Sequence, residues 1–373
     1  MILIKNIKAY TPQFIERCDI LIGGEKVLSI SQEINIDPNL LEKIIDGNDL
    51  VATPGLIDGH VHISGAGGEG GPSSRTAELP VERLIEAGVT SVVGCLGTDG
   101  FSRSPKEVLM KVKAIREKGL SAWMYTGAYQ VPTPTITGEV GTDLALIDEI
   151  IGTGEIAISD HRSSVPTTQE LIRLAEHTRV GAMLGGKGGM INFHMGDAKD
   201  PFKPIHEIVR NSELSYKQFL PTHCNRNDYI FKDSLQYGRE GYIDLTASSY
   251  PYFPDIEVKP SKAIKQLIDS GVPIEHISMT SDANGSLPLF DEKGDLVRIE
   301  IGLPKSLLNE TIEAITEEGL PPDLAFMPVT ANPSRILGLK NKGELKQGYD
   351  ADIVLFDANW KINSVIARGK FVR

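Results

Sequence analysis

The chain has 373 residues, a length that suits a barrel-sized domain plus a minor one. At 40% hydrophobic and 24% charged residues it is ordinary globular material, neither disordered nor fibrous. A formal net charge of -12 repels nucleic acid and anionic membranes, and no run approaches the roughly 20 apolar residues of a membrane span, so neither partner is expected. Met1–Tyr10 carries two lysines and no long apolar run, unlike a secretory signal, and Cys18, Cys95 and Cys224 form no CxxC pair. Sparse, unpaired cysteines suggest a reducing compartment, and the expected location is cytoplasmic.

In chain order, the first fifty residues read as short strands separated by turns: Ile2–Ile7, Cys18–Ile22, Lys26–Ser31 and Lys43–Asp46. The last thirty read the same way, with Asp352–Phe356 and Ile362–Ala367. Neither end can build a core alone. The economical arrangement joins residues 1–53 and 340–373 into one small β-domain, a β-sandwich, with residues 54–339 inserted as the larger domain.

That larger segment alternates strand and helix signals. Eight strands are predicted: Gly55–His60, Ser91–Leu96, Ser121–Thr126, Glu155–Ser159, Met190–Phe193, Gln218–Thr222, Tyr242–Thr246 and Ile277–Ser281. Amphipathic helices such as Pro105–Glu117, Thr167–His177 and Ser261–Ser270 fall between them. Eight βα units in about 250 residues predict an α/β fold, a (β/α)8 TIM barrel. An open doubly wound sheet is the alternative. It is weakened by the lack of a Gly-rich phosphate fingerprint after the first strand and by polar residues that recur just after the strands.

Four of the eight histidines sit at predicted strand ends. His60 and His62 form an HxH pair, and residues two apart in an extended segment face the same side. His194 follows the fifth strand, His223 the sixth, and Asp282 the eighth. Imidazoles with carboxylates suit zinc and related divalent ions. Any one of these histidines alone would read as a packed side chain, but the conjunction on one rim predicts a metal site. His177, His206 and His276 read as structural, and His161, near the fourth strand, as ambiguous.

These residues carry a resemblance. Pro54–Gly55–Leu56–Ile57–Asp58–Gly59–His60–Val61–His62 looks like the first-strand signature of the amidohydrolase superfamily, and Gly348–Tyr349–Asp350–Ala351–Asp352–Ile353–Val354 like the segment that completes its small β-domain. Gly97–Thr98–Asp99, Thr135–Ile136–Thr137–Gly138, the run from Ile158 to Ser163, Phe193–His194–Met195–Gly196–Asp197, the run from Pro221 to Asn227 and the run from Ser281 to Ser286 all resemble the isoaspartyl dipeptidase (β-aspartyl peptidase) family. The likeness runs through essentially the whole chain.

The resemblance implies two divalent metals, usually zinc, with His60, His62 and Asp282 on the buried ion and His194 and His223 on the outer one. A hydroxide between them would attack the amide carbonyl, Asp282 would move the proton to the leaving amine, and Tyr129 would help polarise the carbonyl. For a zwitterionic dipeptide it implies Glu69 at the ammonium, Arg162 and Arg226 at carboxylates, and Gly67, Thr98, Tyr129 and Ser286 lining the site. A flexible loop is the plain alternative for the glycine run around Glu69, and surface ion pairs for the arginines. The family also implies a homo-oligomer, possibly octameric.

One position departs from the family. Where it carries a metal-bridging carboxylated lysine, this chain has Glu155, and no lysine occurs between Lys118 and Lys187. Lys187 belongs to a different segment and is a poor substitute. Glutamate is shorter by very roughly 3–4 Å. The expectation is that Glu155 bridges directly, helped by an apparently inserted residue near Gly152–Gly154; the rival is a single metal or a weak second site. Other functional readings are a different amidohydrolase reaction (cyclic amide hydrolysis or deamination) and a catalytically silent metal-binding barrel.

Overall fold

The computed structural model describes residues 1–290 and 296–373. The N-terminal strands β1 (Ile2–Tyr10), β2 (Phe14–Gly23), β3 (Lys26–Ser31), β4 (Lys43–Asp46) and β5 (Val51–Pro54) precede eight strands of the central segment. These eight are β6 (Leu56–Val61), β7 (Val89–Gly94), β8 (Ser121–Thr126), β9 (Ile150–Ile158), β10 (Met190–Met195), β11 (Phe219–Thr222), β12 (Ile243–Thr246) and β13 (Ile277–Thr280). A hairpin of β14 (Ser286–Phe290) and β15 (Leu296–Ile301) follows, then β16 (Ile353–Phe356), β17 (Ile362–Ala367) and β18 (Lys370–Phe371).

Strands β6 to β11 form one parallel sheet in sequential order, and β12 pairs in parallel with β13. Backbone hydrogen bonds tie the two groups together. Cys224 N–H donates to Asp244 O on one side; on the other, Asp282 N–H donates to His60 O and His62 N–H to Ala283 O. The strands thus follow one another in the manner of a TIM-like barrel. They are almost wholly buried and rich in Val, Ile and Leu, as parallel strands covered on both faces must be. The intervening helices follow local sequence rules. Thr168–Gly185 starts at a capping box, in which the Thr167 hydroxyl accepts from Glu170 N–H and the Glu170 carboxylate accepts from Thr167 N–H. It ends at Gly186, in the left-handed conformation, eight residues beyond the predicted stop at His177.

Both termini meet in one strand-rich domain: β16 pairs with β5, which pairs with β1, and hydrogen bonding joins eight strands. β1 is long and irregular, taking β4 as partner over Ile2–Lys5 and β5 over Lys8–Ala9. Ile4, Ile7, Ile20, Val27, Ile353 and Ile366 fill a core of their own. Lys342 links this sheet to the parallel one: its buried ammonium donates to Asp352 at 2.6 Å and to the Ser121 hydroxyl at the start of β8.

Several features lie outside the sequence expectations. β5, β18 and the β14–β15 hairpin are absent from them, and β9 begins at Ile150, five residues before the predicted start. Within β9 the ladder to β10 slips: Ile191 faces Thr153 but Phe193 faces Ile156, so Gly154 and Glu155 together oppose Asn192. This is a β-bulge, an extra residue that re-aims a side chain. Gly154 permits it, with φ of +156° and a site where a Cβ would lie 2.9 Å from both Asn192 Cβ and Asn192 O. Gly154→Ala is therefore expected to cost about 1–3 kcal/mol of stability. Urea unfolding reads this directly, and an unchanged midpoint would contradict the packing argument.

Candidate active site

Six side chains from five of the eight parallel strands meet at their C-terminal rim. His60 is the penultimate residue of β6 and His62 lies just beyond it; Glu155 comes from the bulge of β9 and His194 from β10; His223 and Asp282 follow β11 and β13. Asp282 and His223 adopt left-handed backbone conformations, φ +53° and +64°. Non-glycine residues hold such angles only where the surroundings impose them, and here they turn each side chain off its strand into the mouth.

Glu155 is the centre of the cluster. Its Oε1 lies 2.6 Å from His194 Nδ1 and 3.1 Å from His223 Nε2. Its Oε2 lies 3.3 Å from His60 Nε2 and 3.9 Å from His62 Nε2. Asp282 Oδ1 completes the second group, 3.1 Å from His62 Nε2 and 3.6 Å from His60 Nε2. Each carboxylate oxygen thus faces a different pair of imidazoles. Burial opposes ionisation of Glu155, but His60 and His194 beside it hold its carboxyl well below the usual range. Burial, with His194 adjacent, pushes His223 down to about 4, so it is neutral at pH 7, the form that binds metals.

Several of these atoms have no hydrogen-bond partner although they are buried: both ring nitrogens of His60, Glu155 Oε2 and Asp282 Oδ1. An unsatisfied buried polar atom costs about 1–3 kcal/mol. Three of them, His60 Nε2, Glu155 Oε2 and Asp282 Oδ1, lie together and make a cradle that a divalent cation would satisfy, and the donor set fits: imidazole and carboxylate in groups close enough to share an ion.

The ligand-type residues are held from behind by groups that the sequence expectations do not assign. His194 Nε2 lies 3.0 Å from Asp160 Oδ2, and His223 Nδ1 lies 2.7 Å from the Thr246 hydroxyl. Asp58 accepts from Ser281 N–H and its hydroxyl, stitching β6 to the segment that carries Asp282. Asp244 accepts from the Thr222, Ser278 and Thr280 hydroxyls. Such outer partners fix imidazole orientation and ligand position. The only local signal for Asp58 and Asp244 is an acid inside an otherwise apolar strand.

Above the cluster lies a cavity of about 420 Å³ lined by all seven predicted substrate residues: Gly67, Glu69, Thr98, Tyr129, Arg162, Arg226 and Ser286. Glu69 accepts from the Thr98 hydroxyl at 2.9 Å and the Ser286 hydroxyl at 3.2 Å, and Arg162 Nη1 stands 3.6 Å away. Ser286 comes from the hairpin that the sequence analysis lacks. The two guanidinium groups already have acid partners: Arg162 donates to Asp160 at 2.9 Å, Arg226 to Asp197 at 3.0 Å. Tyr129 OH lies 2.7 Å from His194 Nδ1, and burial, with Glu155 close by, keeps the phenol protonated. His161 resolves the ambiguity left by the sequence: its side chain is 85% exposed, 3.5 Å from Asp160, and outside the cluster. Lys187 donates to the Ile147 carbonyl, also away from it.

One wall of the cavity carries Phe253, Ile256, Leu287 and Glu257. Burial pushes the Glu257 carboxyl up to about 7, against the Ser249 hydroxyl, which donates to it at 2.7 Å, and nearby Arg226. A folded-state value above the ordinary 4.5 means that this group's stabilisation is complete at low pH and is lost as the pH rises through about 7. Glu257→Gln is expected to match wild type near pH 4.5 and to exceed it by up to about 3 kcal/mol at pH 8. Unfolding measured at both pH values tests this; a difference that does not change with pH would contradict it.

Comparison with known proteins agrees with this geometry. Residues 203–372 match the model of the amidohydrolase family. The chain is 40% identical to the β-aspartyl dipeptidase of Fervidobacterium islandicum AW-1, whose structure was solved with β-Asp-Leu; TM-score 0.92, covering 100% of this chain and 95% of that one. It is 24% identical over 381 residues to a dihydroorotase of Elusimicrobium minutum, covering 91% of this chain and 84% of that protein. Dihydropyrimidinase from Brevibacillus agri NCHU1002 shares the fold at 15% identity, TM-score 0.67, covering 99% and 94%. Fold and site define a hydrolase of the amidohydrolase superfamily. Within it, the chain belongs to the isoaspartyl (β-aspartyl) dipeptidase family.

Proposed function

We propose that the protein is a metal-dependent dipeptidase that hydrolyses the β-aspartyl amide bond of small dipeptides. One observation carries the reading. The cavity above the imidazole–carboxylate floor offers Glu69 to an ammonium and the guanidinium groups of Arg162 and Arg226 to carboxylates, with Asp197, also in its lining, paired to Arg226. A β-aspartyl dipeptide carries one free ammonium and two carboxylates, the complement of that set. The β-Asp-Leu complex of the Fervidobacterium relative supports it.

In this reading His60, His62 and Asp282 would hold one divalent ion and His194 and His223 the other, with Glu155 between them. Zinc is the ion such ligands suit. Bound there, the ions would supply Lewis acidity and a water that ionises near neutral pH. The protein's own groups do the rest. Glu69, held by Thr98 and Ser286, receives the substrate ammonium, and Gly67 keeps the loop beneath it tight: a Cβ there would meet Ser74 O at 2.3 Å. Arg162 and Arg226 turn from Asp160 and Asp197 to the substrate carboxylates or share them. Tyr129 offers its phenolic hydrogen to the carbonyl oxygen. Asp282 takes the proton of the attacking water on its carboxylate and passes it to the leaving amine nitrogen.

Metal-replete protein is expected to release leucine from β-Asp-Leu and to leave dihydroorotate intact. The opposite pattern would assign cyclic amide hydrolysis, the reading favoured by the dihydroorotase relatives. Asp282→Asn is expected to lower kcat by about 10²–10⁴-fold. Glu155→Gln is expected to cut the tightly held metal from two ions per chain to one or none. Two tightly held ions in that variant would show that Glu155 is not the bridge.

A further inference from the structure

We propose that Cys95 is a thiolate ligand of the inner divalent ion, a fifth protein group joining His60, His62, Asp282 and Glu155. This rests on the reading that the HxH pair holds a metal. Nothing in the sequence pattern of the family residues discussed above assigns Cys95 a role.

Cys95 is the first residue past β7, on the same rim as the other ligands, and is fully buried. Its N–H donates to Val61 O at 3.0 Å, which pins it opposite the residue between His60 and His62. Its Sγ lies 3.7 Å from His62 Nδ1. The sulfur, one ring nitrogen each of His60 and His62, and one Glu155 oxygen all lie within 4.8 Å of one another. Ligand atoms at tetrahedral zinc are roughly 3.4–3.8 Å apart, given bond lengths of about 2.0–2.3 Å. The four atoms need to close by at most about 1.4 Å to share an ion.

Second, the space is lined by unpartnered polar atoms. Both His60 nitrogens and Glu155 Oε2 are buried with no hydrogen bond. Third, the other two cysteines provide an internal contrast. Cys18 and Cys224 point their thiols at backbone carbonyls, Ile7 O and Pro221 O, as packed cysteines do. The Cys95 thiol is directed at an imidazole instead. The chain beyond it is pressed against the same ring: a Cβ on Gly97 would lie 2.9 Å from His62 Cε1.

The charge balance points the same way. Two divalent ions bring four positive charges into a buried site where Glu155 and Asp282 supply two negative ones. A thiolate supplies a third, and burying charge is costly unless it is compensated. On binding, the Cys95 S–H gives its proton to solvent as the sulfur–metal bond forms; no oxidant or reductant is involved. A soft ligand would also bias the inner site toward zinc, cobalt or cadmium over magnesium and manganese.

The competing role is a thiol that only orients His62 through Nδ1. Loss of such an outer partner lowers metal affinity about 10–100-fold, so affinity alone does not separate the two roles. Absorption of the cobalt-loaded protein does. The full chain, stripped of metal and reloaded with Co²⁺ alone, is expected to show a near-ultraviolet thiolate-to-cobalt charge-transfer band. The band should vanish in Cys95→Ser and persist in Cys18→Ser and Cys224→Ser. Cobalt bound with visible d–d bands but no charge-transfer band overturns the proposal and leaves the metal-site reading intact. Failure to bind cobalt at all overturns both.

Discussion

A carboxylate buried at the bottom of a polar mouth, with imidazoles on both sides, is the constraint on which the rest of the site depends. Glu155 cannot remain ionised there without positive charge close at hand, since isolated buried charge costs many kcal/mol. Imidazoles supply it only when protonated, and a protonated ring cannot also bind a metal. A divalent ion on each side would supply it, and the two oxygens already point to separate imidazole pairs. The same argument explains the orphaned nitrogens of His60: an atom that would otherwise cost stability is retained because something fills the space it faces.

Glutamate reaches this position through backbone rather than side-chain length. The bulge at Gly154 and Glu155 adds one residue against Asn192 and carries the shorter side chain inward. This is a local change in one strand, while the ladders on either side of it keep their parallel pairing.

Much of this was legible in the sequence, for identifiable reasons. The strand periods marked the eight parallel strands, and the two-residue spacing of His60 and His62 implied a shared face. The missing lysine singles out Glu155, and the structure has a bulge at Gly154 and Glu155, beside the stretch Gly152–Gly154 where an extra residue is expected. Other features were not legible because they depend on contacts between distant segments. Asp244 is one acid within a strand until Thr222, Ser278 and Thr280 are seen around it. Cys95 reads as a small core residue until its sulfur is found beside His62. The hairpin bearing Ser286 and Leu287 carries no strong alternation, and the ion pairs of Arg162 with Asp160 and Arg226 with Asp197 follow from loop geometry alone.

The substrate cavity extends this logic outward. Its charged groups are held in place by one another before any ligand arrives: Glu69 by two hydroxyls, each arginine by an aspartate. Such preorganisation reduces the ordering that binding requires. The account as a whole stands on Glu155 lying between two cations. Anomalous diffraction from zinc-loaded crystals measures this most directly. The prediction is two peaks, one beside each Glu155 oxygen, the first among His60, His62 and Asp282 and the second between His194 and His223. A single peak, or two peaks with the Glu155 carboxylate turned away from both, would contradict it.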